Sequence, residues 1–211
     1  MVSLIEPSPS RKAKRKQSKL PKGARKAGFP GFIAPALASL RKTPPVGAHW
    51  LHEIKFDGYR LQAHIRPKRV KLLTRSGLDW TAKFGEAIAV GLANLNVQDA
   101  IIDGEIVAEP GGGTPDFSAL QDALATGHTE RLVFYAFDLL YLDGYDLRSS
   151  PLIERKAALL SLVTASTRRA DRVRRFLRCK IQWAHRTDPK LVHLIEPREA
   201  VPQSSPMCGG S

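Results

Sequence analysis

The stretch Glu53-Ile54-Lys55-Phe56-Asp57-Gly58-Tyr59-Arg60 limits the folds open to this chain more than any other. In an extended backbone successive side chains leave on opposite faces, so Glu53, Lys55 and Asp57 share one face and Ile54 and Phe56 the other. One face can enter a core, while the other lines a cleft with a lysine set between two carboxylates. Asp57-Gly58 lies between two strand-like runs, residues 50–56 and 59–65, and Asp-Gly there is a favoured hairpin turn. The turn accounts for Asp57 and Gly58. It leaves Glu53, Lys55 and Arg60 unexplained.

A lysine nucleophile must first be neutral. With an unperturbed pKa of about 10.4, only about one molecule in a few thousand is neutral at pH 7. Burial or a nearby cation lowers that pKa, whereas flanking carboxylates raise it. Glu53 and Asp57 are therefore not activators unless engaged elsewhere. Asp57 is left to take up or orient the lysine proton, or to sit near a metal. A phosphorus electrophile suits the site, because Arg60 and Arg75 can pair with phosphate or hydrogen-bond a ribose.

Strands and helices follow along the chain. Val70-Lys71-Leu72-Leu73-Thr74 reads as a strand leading into Arg75-Ser76-Gly77. Phe84, Ile88, Leu92 and Leu95 recur at helical spacing and predict a helix over residues 81–95, with Thr81 or Asp79 as its cap. Ile101-Ile102-Asp103-Gly104-Glu105-Ile106-Val107 reads as a buried strand broken by polar residues. Gly111-Gly112-Gly113 marks a loop without the Lys-Ser or Lys-Thr of a phosphate cradle. Residues 116–126 predict a helix stopped by Gly127, residues 132–142 a long apolar strand carrying Asp138, and Ser150-Pro151 opens a helix running to about residue 163.

With 211 residues, 43% hydrophobic and 25% charged, the chain can bury one core and carry tails. A net charge of +13 favours a polyanionic partner, nucleic acid ahead of an acidic membrane surface. In residues 1–28, Arg11, Lys12, Lys14, Arg15, Lys16, Lys19, Lys22, Arg25 and Lys26 stand against Glu6 alone, which predicts a disordered basic tail. Lys12, Lys14, Arg15 and Lys16 are its candidate nucleic-acid contacts, adding salt-sensitive affinity without sequence preference. A solubilising leader fits the same composition. Residues 29–165 read as the globular part. Residues 166–211, with Arg168, Arg169, Arg172, Arg174, Arg175 and Arg178 and then Pro197, Pro202 and Pro206, read as a divergent basic and Pro-rich segment. Cys179 and Cys208 build neither a disulfide framework nor a zinc set, and the six histidines share no ligand spacing. No apolar run approaches the roughly 20 residues that span a bilayer, and the N-terminus lacks a signal pattern. A reducing cytoplasm is the expected location.

Taken in order, these residues resemble ATP-dependent DNA ligases of the bacterial end-joining type. Glu53 to Arg60 is similar to their nucleotidyl-transfer motif, which RNA ligases and capping enzymes share. Leu73-Thr74-Arg75-Ser76-Gly77-Leu78-Asp79-Trp80 resembles the second ligase motif, and Asp103-Gly104-Glu105-Ile106-Val107 the segment with a ribose-binding glutamate. Residues 135–144, Tyr-Ala-Phe-Asp-Leu-Leu-Tyr-Leu-Asp-Gly, resemble the third motif. Phe32-Ile33-Ala34-Pro35 and Trp50-Leu51-His52 resemble the entry to the ligase module. The likeness covers about residues 29–163. It implies an α+β nucleotidyltransferase fold of antiparallel sheets flanked by helices, with ATP and magnesium as cofactors. It also implies nicked or broken duplex DNA as partner, together with end-joining proteins such as Ku, in the bacterial cytoplasm at the nucleoid, with no membrane. By the same resemblance Lys55 forms a lysyl-AMP phosphoramidate, and the adenylate then passes to a 5′-phosphate. Arg60 and Glu105 hold the ribose, and Arg75 lies near ribose or phosphate. The backbone at Glu53 and Ile54 meets the adenine edge. Phe137 stacks on the base, with Tyr135 as the alternative stacker, and Glu105 is a candidate metal contact.

The chain departs from that pattern after the third motif. Leu194-Ile195-Glu196-Pro197 does not fit the expected Glu-Gly-hydrophobic-hydrophobic-Lys segment, Lys180-Ile181-Gln182 holds one lysine of an expected Lys-x-Lys pair, and no OB-fold follows. The expectation is a truncated or frame-shifted ligase with impaired sealing. The alternatives are a non-catalytic nucleic-acid or nucleotide binding remnant, and an RNA ligase or capping-type nucleotidyltransferase.

Overall fold

The computed structural model describes residues 20–36, 52–54, 56–67, 69–109, 115–167, 177–179 and 192–194. Its strands are β1 (Arg25–Lys26), β2 (His52–Ile54), β3 (Tyr59–Arg66), β4 (Arg69–Thr74), β5 (Ala100–Ala108), β6 (Leu132–Leu142), β7 (Tyr145–Asp146), β8 (Leu177–Cys179) and β9 (Val192–Leu194). Its helices are α1 (Thr81–Phe84), α2 (Glu86–Ala93), α3 (Phe117–Thr126) and α4 (Leu152–Thr167). A seven-stranded sheet runs β1-β7-β6-β5-β3-β4, antiparallel throughout, with β8 added parallel to β6. The arrangement is α+β, as the resemblance implied.

Alternation decides the sheet's two faces. Leu61, Ala63 and Ile65 of β3, Ile102 and Ile106 of β5, and Leu132, Phe134 and Leu139 of β6 join one apolar cluster with Phe84, Ile88 and Leu92 of the first two helices, Leu120 of α3 and Leu159 and Leu162 of α4. Arg60, Gln62 and His64, from the intervening positions of β3, face the other way. Part of that second face lies under residues 27–33. Gln62 reads the Ile33 backbone from both sides: Ile33 N–H donates to Oε1 at 3.0 Å and Nε2 donates to the Ile33 carbonyl at 2.8 Å.

Local chemistry sets the helix ends. Asp116 caps α3 by accepting from the Ser118 and Ala119 N–H groups, and Gly127 ends it in the left-handed region. Pro151 precedes α4, whose start lies where the sequence put it. The single helix expected over residues 81–95 is instead two, because Gly85 takes φ 83°, which breaks the helical path. Its four spaced apolar residues are nevertheless all buried.

Two further expectations are corrected. Asp57-Gly58 is not a hairpin turn: β2 pairs with β9, while β3 pairs with β4 and β5. Gly58 is required by close approach, since a Cβ there would stand 2.2 Å from the Ile106 carbonyl oxygen. The basic tail expected over residues 1–28 does not extend to its last part, because β1 pairs with β7 and Ala27 N–H donates to the Gly144 carbonyl at 2.9 Å. Strand pairing there outweighs the mutual repulsion of the cations. β8, inside the segment expected to diverge, buries Leu177 in the main core. Gly111-Gly112-Gly113 and the arginines from Arg168 to Arg175 lie outside the described residues.

Candidate functional site

The open face of the sheet gathers polar residues from three strands. Register places Arg60 of β3 opposite Glu105 of β5, and Glu105 opposite Tyr135 of β6. Adjacent strands lie about 4.8 Å apart, so these three residues form one row across the sheet. Asp103, two residues before Glu105, shares its face. Arg60 Nε donates to Asp103 Oδ1 at 2.9 Å and Nη2 to Oδ2 at 2.8 Å. Burial pushes the Asp103 carboxyl up and Arg60 draws it back. With both oxygens on one guanidinium, the geometry is that of a carboxylate. The same guanidinium lies over the Phe137 ring, 4.4 Å from its centroid.

A bulged strand aims Phe137. The β5–β6 register steps from Gly104↔Ala136 to Asp103↔Asp138, which leaves Phe137 as an extra residue, and Leu140 is a second one. Bulges re-aim side chains and occur beside functional sites. Here α4 holds the bulge in place. The buried Lys156 Nζ donates to the Phe137 carbonyl at 2.6 Å. Arg155 donates to both Asp138 oxygens at 2.8 Å and to the Ser150 carbonyl at 2.6 Å.

The loop leaving β2 is pressed onto the same place. A Cβ on Gly58 would stand 2.9 Å from Val107 Cγ1 and 3.1 Å from Glu105 Cγ, so the glycine brings this loop against the Glu105 strand. Phe56 stacks on Tyr135 with ring centroids 4.3 Å apart and planes 20° apart. The Tyr135 hydroxyl donates to Glu109, which also accepts from Arg178 Nη2 at 3.1 Å. Burial and the Glu109 bond push the Tyr135 phenol up, so it stays protonated.

Of the site residues expected from sequence, Arg60, Glu105 and Phe137 come together on this face. Tyr135 is there too, packed on Phe56. With Arg60 over one face of Phe137, an aromatic ligand would have to use the other. Asp57 is exposed beside Phe56. Glu53 and Ile54 lie in β2 opposite His193 and Val192. Arg75 is exposed in the turn after β4, and among the described residues no contact joins it to Arg60, Asp103 or Glu105. Lys55, Lys12, Lys14, Arg15 and Lys16 lie outside the described residues. Sequence reasoning missed three contributors: Asp103, Phe56 and Lys156. Asp103 carries a signal, since strand alternation puts it beside Glu105. Lys156 carries another, lying three and seven residues before the buried Leu159 and Val163. Among the described residues no group of three His, Cys, Asp or Glu could hold a metal ion, and Asp103 and Asp138 are already taken by arginines.

Residues 34–182 match the family of ATP-dependent DNA ligase domains. The multifunctional non-homologous end joining protein LigD of Pseudomonas aeruginosa is 44% identical over 142 residues, which are 67% of this chain and 17% of that protein. The SPbeta prophage-derived DNA ligase-like protein LigB of Bacillus subtilis is 35% identical over 133 residues, 62% of this chain and 47% of the relative. The crystal structure of the ligase domain of M. tuberculosis LigD is similar at 38% identity over 55% of this chain and 38% of that one, with a TM-score of 0.48. The chain thus spans less than half the length of these relatives.

Proposed function

From its membership of the ATP-dependent DNA ligase domain family, we propose that this chain takes AMP from ATP onto Lys55 for DNA strand joining in end-joining repair. The Lys55 amine, once neutral, attacks the α-phosphorus. A phosphorus–nitrogen bond forms, the bond to pyrophosphate breaks, and the amine's proton leaves to Asp57 or solvent. Positioning and charge supply most of the assistance in such transfers. Arg60 and Glu105 are assigned to the ribose, Phe137 to the base through the face opposite Arg60, and the backbone of residues 53–54 to the adenine edge. Arg75 is assigned to ribose or phosphate once the turn moves inward. The adenylate would then pass to a 5′-phosphate at a break in duplex DNA, and the 3′-hydroxyl would displace AMP.

The observation that carries this reading is the Arg60–Asp103 pair, held bidentate at 2.9 and 2.8 Å with its guanidinium over Phe137. A solvated surface arginine has no need of a buried carboxylate. The described residues do not form a magnesium site; the ion is proposed to enter on the triphosphate, and no step above depends on it. Ku-type end-joining proteins and the nucleoid are the proposed setting. No helix among the described residues is long and apolar enough to cross a membrane.

The test is incubation with α-labelled ATP and magnesium, followed by denaturation. Label retained on the wild type and lost in Lys55→Ala is expected. Label absent from both leaves a non-catalytic binding protein, and label from GTP in place of ATP points to a capping-type enzyme. Nick sealing on duplex DNA is a separate step and is expected to fail, while the single lysine that residues 180–182 hold in place of a Lys-x-Lys pair is expected to slow the labelling step, where the triphosphate is consumed.

A further inference from the structure

Charge is distributed very unevenly along this chain. The first 52 residues hold eleven of its 33 Lys and Arg and one of its 20 Asp and Glu, so they carry +10 of the net +13. Part of this run is built into the fold. Pro21 is buried and Ala24 packs against the main core. β1 pairs with β7, Ser149 Oγ donates to the Gly23 carbonyl at 2.7 Å, Tyr141 donates to the Ala27 carbonyl at 3.0 Å, and the Lys22 N–H donates to Glu154. With the apolar residues turned inward, Lys22, Arg25 and Lys26 all face solvent. The acid opposite Arg25 in β7, Asp146, is held by Arg148 at 2.5 and 2.9 Å, and the Arg25 charge acts on it only from beyond ion-pair distance. Among the described residues no carboxylate lies within ion-pair distance of the Lys22, Arg25 or Lys26 side chains.

From this placement we infer that residues 20–28 form a docking edge for the phosphate backbone of duplex DNA, with Lys22, Arg25 and Lys26 as the contacts. This rests on the strand-joining reading only for the choice of polyanion. Residues 21–24 turn, with Ala24 N–H donating to the Pro21 carbonyl at 3.2 Å, and Arg25 and Lys26 leave β1 on opposite sides, so the three long side chains flank the edge and reach separate phosphates. A pinned edge contributes affinity without sequence preference, and its register on the duplex is set by the fold rather than by a free tail.

The test is anisotropy of a labelled 20-base-pair duplex with the full chain, titrated at salt concentrations from about 50 to 200 mM. In Lys22→Gln/Arg25→Gln/Lys26→Gln the slope of log affinity against log salt should become shallower by about 2–3, and equally for unrelated sequences. Arg25→Gln alone should account for about 1 of that change and serves if the triple variant misfolds. A slope unchanged within about 0.5 in either variant overturns the inference. So does loss of binding to phosphatidylserine vesicles with duplex binding intact. Label absent from Lys55 while the slope change persists removes the ligase chemistry and leaves the docking edge. Label present with no slope change does the reverse.

Discussion

The two faces of the central sheet are made by the same strands and held by different physics. On the helix-covered face Leu61, Ala63, Ile102, Ile106 and Phe134 are at most 1% exposed. Their contribution scales with the apolar area removed from water and needs no particular partner. On the open face Arg60, Gln62, His64 and Asp103 come from intervening positions of β3 and β5, and each buried polar group has a named partner. A paired buried ion contributes little net stability compared with apolar residues of the same shape, while removing one partner is strongly destabilising. The helix face therefore supplies most of the apolar burial, with two smaller clusters, one of Ile33, Ile101, Leu140 and Tyr141 and one of Val107, Val133 and Tyr135, on the other side. The open face defines where a guanidinium, a ring and a carboxylate stand.

That contrast breaks most sharply at Phe134. Phe134→Ala leaves a cavity under the sheet and is expected to cost about 3–5 kcal/mol, read from the midpoint of urea unfolding. A cost under about 1 kcal/mol would mean that the face is not packed as described.

Asp103 tests the opposite face. Asp103→Ala strands Arg60, whose side chain is 26% exposed, and should cost about 2–4 kcal/mol with loss of ATP-dependent labelling. Arg60→Met/Asp103→Leu should restore most of the stability while labelling stays absent. Restored labelling would show that the pair serves only the fold.

His64 separates the faces by pH. Its ring lies beneath Phe29, with centroids 5.4 Å apart, and Nε2 must donate to Gln62 Oε1 at 2.9 Å because that oxygen can only accept. Burial, assisted by the Lys71 charge, lowers its pKa from 6.5 to about 4. The neutral ring is the native form, so its contribution is complete above about pH 6.5, falls as pH drops towards 4, and is constant below. The loss should be about 2 kcal/mol after solvent screening. In unfolding at pH 7 and pH 4.5, His64→Gln should lose less stability on acidification than the wild type. An equal loss in both proteins rules out this histidine as the source.

The helix-covered face was legible in the sequence because it depends on one rule at a time. Apolar runs gave β4, β5 and β6, and β6 has the expected bounds. The spacing of Phe84, Ile88, Leu92 and Leu95 gave the buried stripe, although not the break that a left-handed Gly85 introduces. The open face was legible only in part. Arg60, Glu105 and Phe137 were expected together and lie together. The carboxylate holding Arg60 and the bulge aiming Phe137 were not foreseen, because both depend on the β5–β6 register, which local pattern does not set. Gly58 misled for a related reason: Asp-Gly reads as a turn from its neighbours, whereas this glycine answers to Ile106, 48 residues away.

The weakest expected effect lies where the faces meet solvent. Lys71 Nζ sits 3.0 Å from Asp79 Oδ2, with side chains 37% and 41% exposed. Such pairs contribute little, so Lys71→Gln should change stability at pH 7 by no more than about 0.5 kcal/mol. The same charge acts on His64 from the neighbouring strand, where register pairs His64 with Lys71. Removing it should move the His64 titration upwards towards 6.5, followed by ring-proton chemical shifts across pH 3–8. Burial is the larger cause of the lowering, so the move should be partial. A full return to 6.5 would mean that the ring is wetter than its packing beneath Phe29 indicates, and no move at all would mean that solvent screens the lysine charge before it reaches the ring.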